Sequence, residues 1–585
     1  MVGCNNRMSD VDLTFARALR QHEAGQVPLA ERAYEQILED KPDYAPASHM
    51  LGIIALQRGN TDRAIVLFNT AVAENPENHE FRSSLAGGYL ASGQHEDAIQ
   101  NYRVVADARP DDPEAHFNLG FSLAAIGRRG EAMAAYRQAV SVRPDYFNGW
   151  NNLGALLLAD GRGAEAVTCL RRLVELRPEY PSSICNLARA LEMCNEIDEA
   201  NELVRRALEI NPQHAQARLL KATIDRRQGR TEEARRQLVE FLDSKPSDLS
   251  LVASAFLELG LVLDEKGEYT NAMRVVKQGN AIRRQLPAAL DQDSKVIYRN
   301  IERYQNWFTA ERMAVWSNDS PDNRQAPVFF VGFPRSGTTL MERMLAAHPD
   351  VVTTGERSPL AGVIAALPGL VGANADYPDF LADLTASQIE AAKEAFWETA
   401  RSDLGPKVDN MLLVDKSPLN IIELGLVSRV LPSAKVIVAL RDPRDVCLSC
   451  YMQEFEQNAA MVNFLDIEST VDFYSAVMNL WCHYRDSMFL PFIEYRYEDL
   501  VEAPEKTLRF VLEFMGLPWA PEMMQFQALA LDRIVGTPSR DAVTRELTSR
   551  AVGRWRNYSY EIKDSLPRLE PFVEAFGYGN ESRES

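Results

Sequence analysis

Prolines recur at a fixed interval of 34 residues through the first half of the chain. The seven members of this series are Pro42, Pro76, Pro110, Pro144, Pro178, Pro212 and Pro246. A fixed period of this length indicates stacked helix–turn–helix units, each of which buries its apolar face only against its neighbours. The first half of the chain is therefore predicted to be an all-helical array.

Small residues in phase with the prolines identify the unit. Alanines, whose size lets two helices approach closely, stand at Ala30, Ala64, Ala98, Ala132, Ala166, Ala200 and Ala234. Turn positions hold Gly25, Gly59, Gly93, Gly127, Gly161 and Gly229, with Asn195 once, because glycine and asparagine tolerate left-handed backbone. With the Leu–Gly pairs 51/52, 119/120 and 153/154, this pattern resembles the tetratricopeptide repeat.

An eighth unit follows after a four-residue slip, with Leu259, Gly260, Gly267 and Ala272 in register. The array is thus predicted to span about residues 11–286. A helical connector and a polar Ser/Asp/Asn/Pro linker, residues 287–327, are predicted to separate it from the second half.

Asparagines occupy one position of three successive units, at Asn118, Asn152 and Asn186. Arrays of this kind form a superhelix whose first helices line a groove suited to an extended peptide. An asparagine amide both donates and accepts hydrogen bonds, so the three side chains are candidates for holding a peptide backbone. The alternative is that they only pack one helix pair on the next.

The second half opens with a strand, a loop and a helix. An apolar run, Val328 to Val331, ends at Gly332, and a helical pattern starts at Thr338. The loop amides and the positive end of the helix dipole make an anion site in such an arrangement. The loop lacks the lysine of a nucleotide-triphosphate loop, and its nearby cation is Arg335.

This loop, PRSGTT, followed by AHPD and by TGE at residues 354–356, resembles the 5′-phosphosulfate loop of sulfotransferases, closest to the tyrosylprotein sulfotransferases. The resemblance covers about residues 326–580. It implies a P-loop-like α/β domain with a central parallel sheet, predicted at 328–580, and 3′-phosphoadenosine 5′-phosphosulfate as the co-substrate, with no metal. The implied donor-binding loop residues are Arg335, Ser336, Gly337, Thr338 and Thr339.

Three further apolar segments end in charged residues. They are 411–414 before Asp415 and Lys416, 435–440 before Arg441, and 492–495 before Arg496. Ligands bind outside the carboxyl ends of the strands in open parallel sheets, so these ends are expected to converge with the PRSGTT loop on one crevice.

The resemblance also implies the catalytic roles. Glu356 would be the base that takes the acceptor proton, and Lys416 and Arg335 would neutralise charge on the transferring and departing groups. Without the resemblance, Glu356 would be interpreted as a helix-capping or surface residue. The relatives carry a cysteine pair where this chain has Thr353 and Val414.

The remaining implied residues bind the donor nucleotide. Arg441 and Ser449 match the pair that binds the 3′-phosphate, and Tyr497 matches a nucleotide-contacting tyrosine, although a core tyrosine is the alternative. Ser539 and Arg554 lie where the family closes a loop over the nucleotide. Arg554 replaces a lysine of the relatives, which keeps the charge but changes the hydrogen-bond geometry.

The net charge and the cysteine content indicate which classes of partner and which cellular compartment to expect. The net charge of −20 and pI near 5.0 argue against a nucleic-acid or anionic-membrane partner. Seven scattered cysteines do not form a disulfide framework, and no run of about 18 apolar residues could span a bilayer. The pair Cys447/Cys450 is interpreted as helix residues and not as metal ligands. A cytoplasmic protein is expected.

Three functions are compatible with these observations. The favoured one is a sulfotransferase that recruits a polypeptide through the repeat array and modifies tyrosine, with serine and threonine as less favoured acceptors. In the second, the acceptor is a glycan or a small hydroxylated molecule. In the third, the array is a scaffold and the C-terminal domain binds nucleotide without turnover.

Overall fold

The computed structural model describes residues 9–316, 325–372, 376–526 and 549–579. Residues 317–324 of the predicted linker, and Ser539, lie outside the described residues. The chain divides into two compact units, residues 1–190 and 191–585. The second unit contains both the last helices of the repeat array and the C-terminal domain.

Helices fill the described chain from residue 10 to residue 283. They are α1 Asp10–Glu23, α2 Val27–Asp40, α3 Ala45–Gln57, α4 Thr61–Glu74, α5 His79–Ala91, α6 His95–Ala108, α7 Pro113–Ala125, α8 Arg129–Val142, α9 Phe147–Ala159, α10 Gly163–Leu176, α11 Pro181–Met193, α12 Ile197–Ile210, α13 Ala215–Arg227, α14 Thr231–Asp243, α15 Leu249–Glu265 and α16 Tyr269–Arg283. Consecutive helices pack in pairs, as α3 packs on α4 and α15 on α16.

Left-handed residues form the turn inside each helix pair. Each predicted turn residue, from Gly25 to Gly229 and including Asn195, has a φ between +66° and +78°, as does Gly267 of the last pair. This conformation costs little at glycine and is tolerated by asparagine, which explains the pattern in the sequence. The predicted turn chemistry is confirmed.

Small residues set the distance between the two helices of a pair. The in-phase alanines from Ala30 to Ala234, and Ala272, have no exposed surface. A Cβ on Gly120 would lie 2.8 Å from Cδ1 of Tyr136, and a Cβ on Gly260 would lie 2.5 Å from Cγ2 of Val276. The helices are therefore in contact at positions where no larger side chain fits.

Short connecting helices lead to the C-terminal domain. They are α17 Pro287–Leu290, α18 Lys295–Trp307 and α19 Ala310–Ala314. The strands of the domain are β1 Val328–Gly332, β2 Val351–Thr353, β3 Leu412–Lys416, β4 Lys435–Leu440 and β5 Phe492–Arg496. Its helices are α20 Thr338–Ala346, α21 Leu360–Val371, α22 Ala386–Leu404, α23 Leu424–Val430, α24 Pro443–Tyr451, α25 Ile467–Ser487, α26 Tyr497–Glu502, α27 Pro504–Met515 and α28 Leu566–Ala575.

The five strands form one parallel sheet in the order β2-β3-β1-β4-β5. Alternate residues of β1 enter two different cores, Phe329 and Val331 on one face and Val328 and Phe330 on the other. Burial on both faces explains the continuous apolar runs of the strands. Because all strands are parallel, their carboxyl ends meet at one edge, and the predicted central parallel sheet is confirmed.

The close approach at Gly120 predicts the effect of one methyl group on stability. We expect Gly120→Ala to lower the free energy of unfolding by about 1–3 kcal/mol, because Tyr136 and the Ala132 carbonyl oxygen, 3.2 Å away, must move. Gly130→Ala is the matched control, since a Cβ there meets nothing within 4 Å and the change gains up to about 1 kcal/mol of helix propensity. Denaturant unfolding followed by circular dichroism measures both, and equal stability of the two variants would contradict the packing argument.

Candidate active site

The loop between β1 and α20 has the shape of an anion cradle. Arg335 and Gly337 have φ values of +71° and +86°, so the chain turns sharply before the first helical residue, Thr338. A Cβ on Gly337 would lie 2.3 Å from Cδ2 of Tyr497, so only glycine fits there. The first amides of α20 have no acceptor within their own helix and face the turn.

Two arginines and a serine meet beside this loop. Nε of Arg335 donates to Oγ of Ser449 at 3.0 Å, and Nη1 of Arg441 donates to the Arg335 carbonyl oxygen at 2.9 Å. The Arg441 guanidinium also lies over the Tyr497 ring, 4.8 Å from its centroid. Nε of Arg441 is buried and has no hydrogen-bond partner among the described residues. The site thus holds a cation whose donor capacity the described protein does not use up.

The electrostatics of this cluster favour an anion. Burial, together with the positive charges of Arg441 and Arg554, lowers the pKa of Arg335 to about 10. The charged form of Arg335 is therefore disfavoured by its surroundings. A bound phosphate would offset this effect and supply acceptors for the arginine N–H groups.

A second cluster lies at the ends of β2 and β3. Nζ of Lys416 is 2.5 Å from Oε1 of Glu356 and 2.9 Å from Oε2 of Glu342. The Lys416 side chain is only 1% exposed, whereas that of Glu356 is 38% exposed. Burial alone would lower the pKa of Lys416, but the two carboxylates outweigh it and the net shift is upward. Lys416 is therefore charged, and Glu356 is its partner on the solvent side.

Backbone contacts fix Glu356 in place. Its own N–H donates to the Lys416 carbonyl oxygen at 3.1 Å, and the preceding Gly355 N–H donates to Oε1 of Glu342 at 3.0 Å. Glu356 has a φ of +75°, an unfavourable conformation for a residue with a side chain. Strained backbone of this kind, held by surrounding contacts, is typical of functional sites.

Glu342 was not predicted from the sequence. It lies on α20, 5% exposed, among Leu340, Met341 and Met344 of the apolar core. A lone carboxylate on an otherwise apolar helix face was the available signal, because such a group needs a buried cation as its partner.

The remaining predicted residues lie in different places. Ser336, Thr338 and Thr339 are buried in the loop and first turn of α20. Arg554 contacts Asp264 of α15, with Nε 3.1 Å and Nη2 3.0 Å from Oδ1. The predicted Ser539 lies outside the described residues, so its contacts are not described.

The groove candidates lie on the first helices of three pairs. Asn118, Asn152 and Asn186 are half-buried on α7, α9 and α11. Nδ2 of Asn152 is 3.4 Å from the hydroxyl of Tyr136, a long contact. They occupy the same position on three successive first helices.

The described residues contain neither a metal-binding cluster nor a membrane-spanning helix. No group of three or more His, Cys, Asp or Glu side chains is placed to hold a metal ion there. Cys447 and Cys450 lie buried on α24. None of the helices in the described ranges has the length and apolar character needed to cross a membrane.

Models of known families match the two parts of the chain separately. Residues 327–521 match the model of the sulfotransferase family. Residues 195–256 match the tetratricopeptide repeat, and residues 13–224 match the C-terminal domain of cilia and flagella-associated protein 70.

Curated relatives match about half of the chain. An uncharacterized protein of Aquifex aeolicus is 28% identical over 357 residues, which are 59% of this chain and 44% of that protein. Protein-tyrosine sulfotransferase 1 is 26% identical in Danio rerio and 25% in Homo sapiens, over 44% of this chain and 73% and 70% of those proteins. The chain thus spans less than half the length of the Aquifex relative.

Solved structures similar to this chain are repeat proteins. The crystal structure of MamA is 22% identical, with a TM-score of 0.27, over 28% of this chain and 96% of that chain. A tetratricopeptide repeat protein from Parabacteroides merdae is 15% identical, with a TM-score of 0.32, over 43% of this chain and 98% of that chain. From the family matches and the fold, the chain joins an array of tetratricopeptide repeats to a domain of the sulfotransferase family.

Proposed function

We propose that the domain at residues 328–580 transfers a sulfuryl group from 3′-phosphoadenosine 5′-phosphosulfate to a hydroxyl acceptor. The observation that carries the proposal is the 2.5 Å contact between Glu356 and Lys416 at the same sheet edge as the anion cradle. A carboxylate and a buried cation next to an anion-binding loop are the parts that group transfer between oxygens requires, which supports the proposal.

The described donor-side residues fit this co-substrate. The guanidiniums of Arg335, Arg441 and Arg554 and the hydroxyl of Ser449 form a cluster suited to phosphate groups. The unpartnered Nε of Arg441 is a donor that such a ligand would satisfy. The co-substrate supplies the activated sulfuryl group, and these residues bind and orient it.

On the acceptor side, Glu356 would take the proton. Its carboxylate is held by Lys416 yet reaches solvent, so an acceptor hydroxyl can approach it. As the new oxygen–sulfur bond forms and the bond to the 5′-phosphate oxygen breaks, the hydroxyl proton passes to Glu356. Lys416 and Arg335 neutralise the negative charge that develops on the departing oxygen.

For the acceptor we propose tyrosine of a polypeptide recruited by the repeat array. Similarity to protein-tyrosine sulfotransferases supports tyrosine, and the repeats support a protein partner. The half-buried Asn118, Asn152 and Asn186 are the proposed backbone contacts. The domain boundaries, 11–286 for the array and 287–327 for the connector, and the cytoplasmic location predicted from cysteine usage belong to the same proposal.

A buried carboxyl group precedes Lys416 in β3. Asp415 is fully buried and accepts hydrogen bonds from Ser358 at 2.7 Å and Asn420 at 3.3 Å. Burial raises the pKa of Asp415 to about 7, against these hydrogen bonds. Below that pH the neutral form of the carboxyl group predominates.

The proton-transfer role of Glu356 predicts a loss of turnover without a loss of donor binding. We expect Glu356→Gln to lower the transfer rate at least about 100-fold, because the amide cannot accept the proton. Its affinity for the product nucleotide, 3′-phosphoadenosine 5′-phosphate, should stay within about threefold. Transfer of radiolabelled sulfate to a tyrosine peptide measures the rate, and Glu505→Gln, an exposed ion-pair residue on α27, is the control.

A matched pair of variants tests Lys416 without leaving a buried charge unpaired. Lys416→Met alone isolates Glu342 and would destabilise the fold by about 3–5 kcal/mol. The double variant Lys416→Met/Glu342→Gln removes both charges and should fold, yet transfer slowly. Full activity of Glu356→Gln or of the folded double variant would overturn the catalytic assignment.

Asp415 predicts a pH dependence of stability. Its folded pKa lies above its unfolded value, so its contribution is present below about pH 4 and is lost as the pH rises through about 7. Asp415→Asn should therefore gain stability relative to wild type across this window, by up to about 4 kcal/mol at about 1.4 kcal/mol per pKa unit. Urea unfolding at pH 5 and pH 8 measures the gap, and Asp486→Asn, 80% exposed, should show none.

The groove assignment predicts a change specific to long acceptors. Replacing Asn118, Asn152 and Asn186 together by Ala should raise KM for a polypeptide acceptor about tenfold or more, since each lost amide contact removes about 0.5–1.5 kcal/mol. KM for a short tyrosine peptide and for the donor should not change. Asn69→Ala, on the second helix of its pair, is the control. An unchanged KM for the long acceptor would leave the asparagines with a packing role only.

A further inference from the structure

The last helix pair of the array packs directly on the part of the C-terminal domain that carries Ser449. Apolar residues of α15 and α16 share one core with Leu448 and Tyr451 of α24, with Met452 just after it, and with Tyr558. Nδ2 of Asn280, on α16, donates to the Tyr451 carbonyl oxygen at 2.9 Å, in a buried contact. The end of α24 is therefore supported by the repeat array.

Asp264, on α15, connects the last helix pair to Arg554 of the proposed donor site. Its Oδ1 accepts from Nε and Nη2 of Arg554 at 3.1 Å and 3.0 Å, and from the hydroxyl of Tyr558 at 2.6 Å. The Asp264 and Arg554 side chains are 13% and 18% exposed. A charge-assisted pair this well shielded from water holds its geometry better than an exposed ion pair.

A residue of α24, Asp445, holds the backbone around Arg554 in place. The carboxylate of Asp445 accepts from the Gly553 N–H at 2.6 Å and from the Trp555 N–H at 2.7 Å. The Arg444 guanidinium lies 4.1 Å from the Trp555 ring centroid. Asp445 therefore fixes where residue 554 lies, which leaves the direction of its side chain to Asp264.

The direction of Arg554 matters because it belongs to a cluster of like charges. Nη2 of Arg554 lies 3.2 Å from Sδ of Met452, three residues after Ser449. Nη2 of Arg441 donates at 2.6 Å to the carbonyl oxygen of Ala551, three residues before Arg554. The lowered pKa of Arg335, to which both charges contribute, agrees with this geometry. Without a counter-charge, repulsion and the side-chain entropy of arginine would move Arg554 away from the other two. Asp264 supplies that counter-charge.

We propose that Asp264 is a positioning residue for the donor nucleotide, so that the last repeat is a working part of the sulfotransferase site and not only a recruitment module. This inference rests on the proposed function. It assigns to the array a role that the array's similarity to peptide-binding repeats does not suggest, because the residue acts from α15 through Arg554.

The test measures binding of 3′-phosphoadenosine 5′-phosphate to the full chain by calorimetry. Asp264→Asn keeps the size of the side chain and removes its charge, and the Kd is expected to rise about tenfold. Arg554→Ala should weaken binding to a similar extent. In the Arg554→Ala background, Asp264→Asn should have no further effect, because both act through one guanidinium.

Controls separate positioning from a general loss of fold. Tyr558→Phe removes the other partner of Asp264 and should lower thermal stability while leaving the Kd unchanged. Thr270→Ala removes a contact between α16 and Glu561 that does not involve Arg554, and should also leave the Kd unchanged. If Asp264→Asn does not fold, Asp264→Glu, which keeps the charge but moves it, should give a Kd between those of wild type and Arg554→Ala.

Three outcomes would overturn the inference. An unchanged Kd in Asp264→Asn would show that Arg554 needs no counter-charge, and a lower Kd would show that Asp264 competes with the nucleotide. Additive losses in the double variant would show that Asp264 acts by another route. Wild-type protein that binds no 3′-phosphoadenosine 5′-phosphate would overturn the proposed function as well, so the two failures are distinguishable.

Discussion

The C-terminal site depends on the ion pairs of the buried Lys416 ammonium group with Glu342 and Glu356. Removing such a charge from water costs several kcal/mol, and two carboxylates on different elements offset that cost. Glu342 comes from α20 and Glu356 from the loop after β2, so the lysine ties the cradle helix and the neighbouring loop to the end of β3.

The two halves of the chain reach close packing by opposite means. In the array, glycine and alanine at fixed positions leave room at the crossing points for side chains of the partner helix, such as Tyr136 beside Gly120. In the C-terminal domain, large apolar residues of the strands fill both faces of the sheet. At their junction the two kinds of packing meet in one core, in which Val276 of the array and Met452, just after α24, take part. That junction supports the end of α24.

The local features of this fold could be predicted from the sequence, and the long-range pairings could not. The 34-residue period and the turn glycines depend on residues close together in sequence, and the left-handed turns confirm the prediction made from them. The site candidates came from the resemblance to sulfotransferases, and the parallel strands predicted only that their carboxyl ends would meet. The contact of Asp264 with Arg554 spans 290 residues of sequence, and nothing in the local pattern of either residue points to the other. Glu342 was missed because its partner, Lys416, is likewise distant in sequence.

Arg335 and Glu356 share an unusual backbone state, since both are non-glycine residues with positive φ. For an L-residue this conformation costs about 1–2 kcal/mol relative to the right-handed region, a cost that glycine would not carry. At these two positions the side chain that the proposed chemistry needs is therefore the one that the backbone disfavours. Selection of variants for thermal stability alone would therefore favour glycine at both positions. The most stable variants selected in this way would lack the side chains that the proposed chemistry needs.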